Sequence, residues 1–170
     1  MRGARRVVFR DHADKAAWID GSAWIDARQP PVVEAARAIA GDATANRTAA
    51  RKIADWVREH VVYTRDQWED GTYGERVADT AAILDERIED CDGKARAVVA
   101  LVRALDRPGL LARIRAVVAP RDGVFEHAQA EVSADGGRTW DLAETIVEGV
   151  GFGLSPDVGS RDARGELRTR

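Results

Sequence analysis

Apolar residues in this chain recur first at helical and then at strand intervals. After the break at Pro30-Pro31, Val32 to Ala40 reads as a short helix ended by Gly41. Ala49, Ala50, Ile53, Trp56, Val57 and His60 keep one face of a second helix that runs to about Val61, with Thr44 or Asn46 as its cap. A polar loop from Thr64 to Tyr73 follows, and Asp79 or Thr80 caps a short helix through Leu84. From Cys91, the residues Ala95, Val98, Val99, Val102 and Leu105 share a face until Pro108-Gly109 stops the helix. The period then falls to two. Leu111, Arg113, Arg115 and Val117 alternate with Ala112, Ile114, Ala116 and Val118. Phe125 to Ser133 and Arg138 to Ala143 form two further strands around the turn Ala134-Asp135-Gly136-Gly137. Helices followed by an antiparallel sheet make an α+β domain, with the Cys91 helix packed on the sheet.

The ends are less regular. Arg5 to Phe9 suits a short strand, and the tripeptide Trp-Ile-Asp occurs at Trp18 and again at Trp24. We read the pair as two extended segments whose tryptophans cover an edge of the core. Leu154 to Arg170 holds few apolar residues and reads as a tail, loose or ordered by a partner. The expected division is an N-terminal arm at 1–31, a domain at 32–153 and a polar tail at 154–170.

Composition narrows the chemistry. One cysteine among 170 residues makes no internal disulfide and no multi-thiolate metal site. Three histidines, His12, His60 and His127, leave little for a histidine-rich metal centre. No apolar run approaches a membrane span of roughly 20 residues, and the start lacks the apolar core of a signal peptide. A net charge of −3 offers no basic footprint for nucleic acid. The expected setting is a reducing, cytoplasmic one. Only three of the 26 cations are lysines, a skew that fits a GC-rich bacterial or phage coding sequence.

The lone thiol needs a role. At the first turn of a helix, unpaired N–H groups and the helix dipole favour a thiolate nucleophile, whereas the neighbouring Asp90 and Asp92 raise a thiol pKa. An equally ordinary reading is a buried structural cysteine. His127, at the start of a strand, is placed to exchange a proton with a thiol, although a lone histidine is more often a surface one. Glu144 and Asp141 are the acids available to orient its ring. If the hairpin turn centres on Asp135-Gly136, residues whose numbers sum to about 271 face each other, so His127 meets Glu144 and Asp141 meets Ala130. Strand alternation allows only one of the acids to serve; Glu144 is preferred and Asp141 is the fallback.

The order of these pieces resembles the transglutaminase-like superfamily. Cys91 lies in Asp-Cys-Asp-Gly-Lys-Ala, the next strand begins His127-Ala128, and a Trp140-led strand ends Glu144-Thr145. Upstream, Ile53 to Tyr63 and Ala81 to Leu84 resemble further family segments, so the likeness runs over roughly Val32 to Thr145. Gln129 stands where the family strand carries tryptophan, and Glu144 stands for its aspartate. The resemblance implies a papain-like fold with Cys91 as nucleophile, His127 as base and Glu144 as third member. It also implies an oxyanion hole from the Cys91 N–H and a loop donor, for which Gln67, Trp68 and Tyr63 are candidates.

The implied activity is acyl transfer on a peptide or protein amide through a thioester, with hydrolysis by a peptidase or amidase ranked before protein cross-linking. That implied chemistry needs no metal and no organic cofactor, and the acids Asp66, Glu69 and Asp70 lack a calcium-binding spacing. The alternative is a non-catalytic assembly protein on the same fold, such as a phage virion component held through its C-terminal tail.

Overall fold

The computed structural model describes residues 5–6, 12–64, 76–118, 125–147, 150–154 and 165–168. Three helices come first: α1 (His12–Asp26), α2 (Pro30–Ala40) and α3 (Asn46–His60). The short helix α4 (Thr80–Glu86) and the longer α5 (Cys91–Ala104) follow. Two-residue strands lie among the helices. β1 (Arg5–Arg6) pairs antiparallel with β3 (Arg76–Val77), and β2 (Val62–Tyr63) pairs parallel with β4 (Ile88–Glu89). The main sheet has the order β7-β6-β5-β8, from β5 (Leu111–Val118), β6 (Phe125–Ser133), β7 (Asp141–Ala143) and β8 (Gly165–Arg168), all antiparallel.

The fold is α+β, with the Cys91 helix packed on the antiparallel sheet. Val98, Val99, Leu101 and Val102 of α5 share one core cluster with Ile114 of β5 and with Ala128, Ala130 and Val132 of β6. Small residues dominate the strand side of this contact, which lets α5 approach the sheet closely.

α1 departs from the expected pair of extended segments. Both Trp-Ile-Asp tripeptides lie on one helix, and Ala16, Ile19 and Ala23 on it are buried. Its acids explain its place. Asp26 Oδ2 accepts from the Thr80 N–H at 2.9 Å, the Thr80 hydroxyl at 2.6 Å and Arg96 Nε at 2.8 Å. Asp20 Oδ1 accepts from Arg103 at 2.8 Å and from the Ile114 N–H at 3.1 Å. Trp24, by contrast, is half exposed, with Arg103 over its ring.

The β6–β7 register differs from the expected one by two residues, with Ala130 facing Ala143 and Val132 facing Asp141. The connection is longer than a tight hairpin. Residues 134–140 form a loop in which Asp135 accepts from the Ser133 hydroxyl and from the Thr139 hydroxyl and N–H. A two-residue offset preserves strand parity, so each side chain keeps its expected face. Within the expected tail, Gly165–Arg168 adds a strand to β5.

Candidate functional site

Cys91 is the first residue of α5, and the segment entering it is tightly fixed. Asp90 is the N-cap, its Oδ1 accepting from the N–H groups of Asp92 and Gly93 at 3.1 Å each. Glu89, buried beside them, accepts from the Asp90 N–H at 3.2 Å. It packs so closely that a Cβ on Gly93 would come within 1.8 Å of its Cγ. Glycine at 93 is therefore required by the close approach of Glu89.

The cap changes the electrostatics expected at the thiol. Two of the helix-start N–H groups are taken by Asp90. Burial pushes the thiol pKa up, the charges of Asp90 and Asp92 add to this, and the total reaches about 12. A hydrogen bond from the Ala128 backbone and the charge of Lys15 oppose the rise. Lys15, on α1, reaches Asp92 Oδ1 at 3.7 Å, and the same oxygen lies 3.9 Å from Cys91 Sγ. The resting group is a thiol, and nucleophilic chemistry at this sulfur requires loss of its proton.

β7 pairs only with Ala130 to Val132, leaving the β6 edge open to Cys91 at Ala128. His127 and Gln129 flank that residue on the same strand face. Glu144, immediately after β7, is 1% exposed and joins both. His127 Nε2 donates to Glu144 Oε2 at 2.9 Å, and Gln129 Nε2 donates to the same oxygen at 2.7 Å. Glu144 Oε1 accepts from the N–H groups of Ile146 at 2.8 Å and Val147 at 3.3 Å. Burial pushes the Glu144 carboxyl up, but the His127 hydrogen bond and charge, with those from Ile146 and Gln129, hold it at about 2. The carboxylate is ionised and can only accept, so the proton in this hydrogen bond sits on His127 Nε2.

Asp141 lies elsewhere. It forms a bidentate pair with Arg47, Nε to Oδ2 at 2.7 Å and a terminal nitrogen to Oδ1 at 2.9 Å. His60 is exposed and stacks on Trp56, with its Nδ1 3.0 Å from the Trp56 carbonyl. His12 opens α1. Tyr63 faces Glu89 across β2–β4, two residues before Cys91, with an exposed side chain. Gln67 and Trp68 lie outside the described residues, as do Asp66, Glu69 and Asp70. The ligand atoms of Asp90, Cys91 and Asp92 fall within 4.8 Å of one another, but Asp90 caps the helix and Asp92 faces Lys15.

Three contributors escape a reading of the sequence. Gln129 joins Glu144, an arrangement signalled only by its position two residues after His127 on the same strand face. Arg58 of α3 donates to the Glu144 carbonyl, and the buried Lys94 of α5 donates to the Val61 carbonyl. Burial and the charge of Arg58 lower the Lys94 pKa, against the pull of Glu144. No local pattern marks the last two, because their partners are distant in the chain.

Residues 33–144 match the model of the transglutaminase-like superfamily. The chain belongs to that superfamily. Among solved structures, this transglutaminase-like chain is similar to a candidate protease from Parabacteroides distasonis, with a TM-score of 0.56 and 12% identity over 75% of the chain. It is also similar to a candidate cysteine protease from Cytophaga hutchinsonii, with a TM-score of 0.50 and 20% identity over 89% of the chain. It spans 26% and 54% of those two chains respectively. At these identities the likeness is one of fold. No curated protein sequence matches the chain.

Proposed function

We propose that this protein carries out cysteine-dependent acyl transfer on a peptide or protein amide, with water as acceptor. The observation that supports it best is the convergence of two contacts on β6. Cys91 accepts from the Ala128 backbone, and the adjacent His127 is held through Nε2 by a buried, ionised Glu144. In this reading the Cys91 S–H bond breaks as its sulfur bonds to the amide carbon, and the proton passes to His127 Nδ1. The imidazolium returns that proton to the leaving amine as the C–N bond breaks, giving a thioester. Water then gives a proton to Nδ1 as its oxygen bonds to the thioester carbon; the C–S bond breaks, the imidazolium returns that proton to sulfur, and the acid leaves. With the thiol at about 12, proton transfer accompanies attack rather than preceding it. The Cys91 N–H, at the helix start, is the proposed first donor to the oxyanion.

The same raised thiol supports a second reading, an assembly protein that keeps the fold without turnover, for example in a phage virion. Peptide coumarin amides and amine incorporation into casein separate the cases. Hydrolysis that falls about 1,000-fold or more in Cys91→Ala supports the first reading. Amine incorporation without hydrolysis would make it a cross-linking enzyme. Equal, background rates for wild type and Cys91→Ala would leave the assembly reading.

A further inference from the structure

We propose that Gln129 is a positioning residue, whose amide holds the Glu144 carboxylate toward the ring of His127. The inference rests on the triad reading above and adds a fourth member to it. Gln129 is 5% exposed, and its Nε2 donates to Glu144 Oε2 at 2.7 Å. Its Oε1 is buried with no hydrogen-bond partner among the described residues. A buried amide oxygen left unpaired is destabilising relative to a satisfied one. Packing alone would therefore favour an apolar side chain here. The amide gains only its bond to Glu144, and that bond falls on the oxygen His127 uses.

The geometry gives the bond a consequence. Glu144 Oε1 is fixed by two backbone N–H groups, and Oε2 by His127 and Gln129. Two donors on Oε2 leave the carboxylate plane little freedom to rotate. Gln129 also supplies a donor that does not titrate, so the carboxylate stays held whichever protonation state His127 passes through. Among the described residues, the charged groups around Glu144 come from His127 of β6, Arg58 of α3 and Lys94 of α5. None of these is altered by a change at Gln129.

The test is Gln129→Met, which keeps length and volume but removes the donor, with Gln129→Leu as a second apolar variant should the first fail to fold. The folded-state midpoint of the Glu144 carboxyl, followed by its carbon NMR signal, should rise from about 2 toward the ordinary carboxylate range. The His127 ring N–H proton signal should move as its bond to Glu144 changes. By linkage, a raised Glu144 midpoint should lower the melting temperature at neutral pH, an effect partly offset by removal of the unpaired Oε1. Acylation of Cys91 by p-nitrophenyl acetate should slow about tenfold, as loss of one hydrogen bond to a charged group predicts. An unmoved carboxyl midpoint and ring signal in the folded variants would overturn the proposal, as would a fall in stability without either shift. A wild-type protein that p-nitrophenyl acetate never acylates would remove the proposed function, yet the two NMR signals would still decide what Gln129 does.

Discussion

At the scale of single residues, Cys91 is governed by two opposing influences. A helix start favours the thiolate, but Asp90 takes the nearby N–H groups while burial and two carboxylates raise the thiol to about 12. At pH 8, iodoacetamide should therefore label folded Cys91 about tenfold or more slowly than the same cysteine in the denatured chain. Asp92→Asn should speed labelling and Lys15→Met should slow it, since the first removes a raising charge and the second a lowering one. Equal rates for both variants would show that these charges do not reach the sulfur. For the acids, Glu144→Gln should reduce turnover about 100-fold or more, while Asp141→Asn leaves it nearly intact. The latter loses only a solvent-exposed pair with Arg47, of the kind that adds little to stability. The opposite ranking in an amide-hydrolysis assay would move the third member to Asp141.

At the scale of elements, much was legible where a side-chain period and a core face coincide. The α5 stripe from Cys91 to Val102 and the alternation of Leu111 to Val118 mark their elements because each buries one face. The β6–β7 hairpin was legible in parity but not in register. Asp135 organises a longer loop than Asp-Gly alone suggests, and the unchanged parity is why Glu144 still meets His127. α1 is helical where the repeated tripeptide suggests extended segments. Its helical signal is Ala16, Ile19 and Ala23, interleaved with Asp20 and Asp26, whose burial depends on Arg103 and Arg96 far along the chain. Gly165–Arg168 has no apolar alternation to read, and its place is set by the open edge of β5. The buried pair of α1 gives a direct test. Asp26→Ala leaves Arg96 charged and unpaired and should destabilise by about 3–5 kcal/mol, or roughly 10 °C in melting temperature. A loss of only about 1 °C would mean that α1 is not held by this ion pair.

At the scale of the whole molecule, the site and the stability of the fold are linked through one carboxyl. Glu144 has a folded value of about 2 against an ordinary 4.5, so it stabilises the fold fully above the unfolded value. This contribution, about 3 kcal/mol, should disappear as pH falls from about 5 to 2. Urea unfolding across that range should show a shallower pH dependence in Glu144→Gln than in wild type. Parallel curves would place the acid sensitivity elsewhere. The chain matches its superfamily over residues 33–144, yet α1 lies before that span and packs on α5 and β5. Among the described residues no helix is long and apolar enough to cross a membrane.

The central claim is that Cys91, His127 and Glu144 act as one acyl-transfer unit. The most direct measurement is the pre-steady-state reaction of the protein with p-nitrophenyl acetate, read by p-nitrophenol release and by the mass of the intact chain. The account predicts a burst of about one equivalent with the acetyl group on Cys91. The burst should be absent in Cys91→Ala and slowed about 100-fold or more in His127→Ala. An unmodified Cys91, or a burst that proceeds as fast without His127, would contradict it.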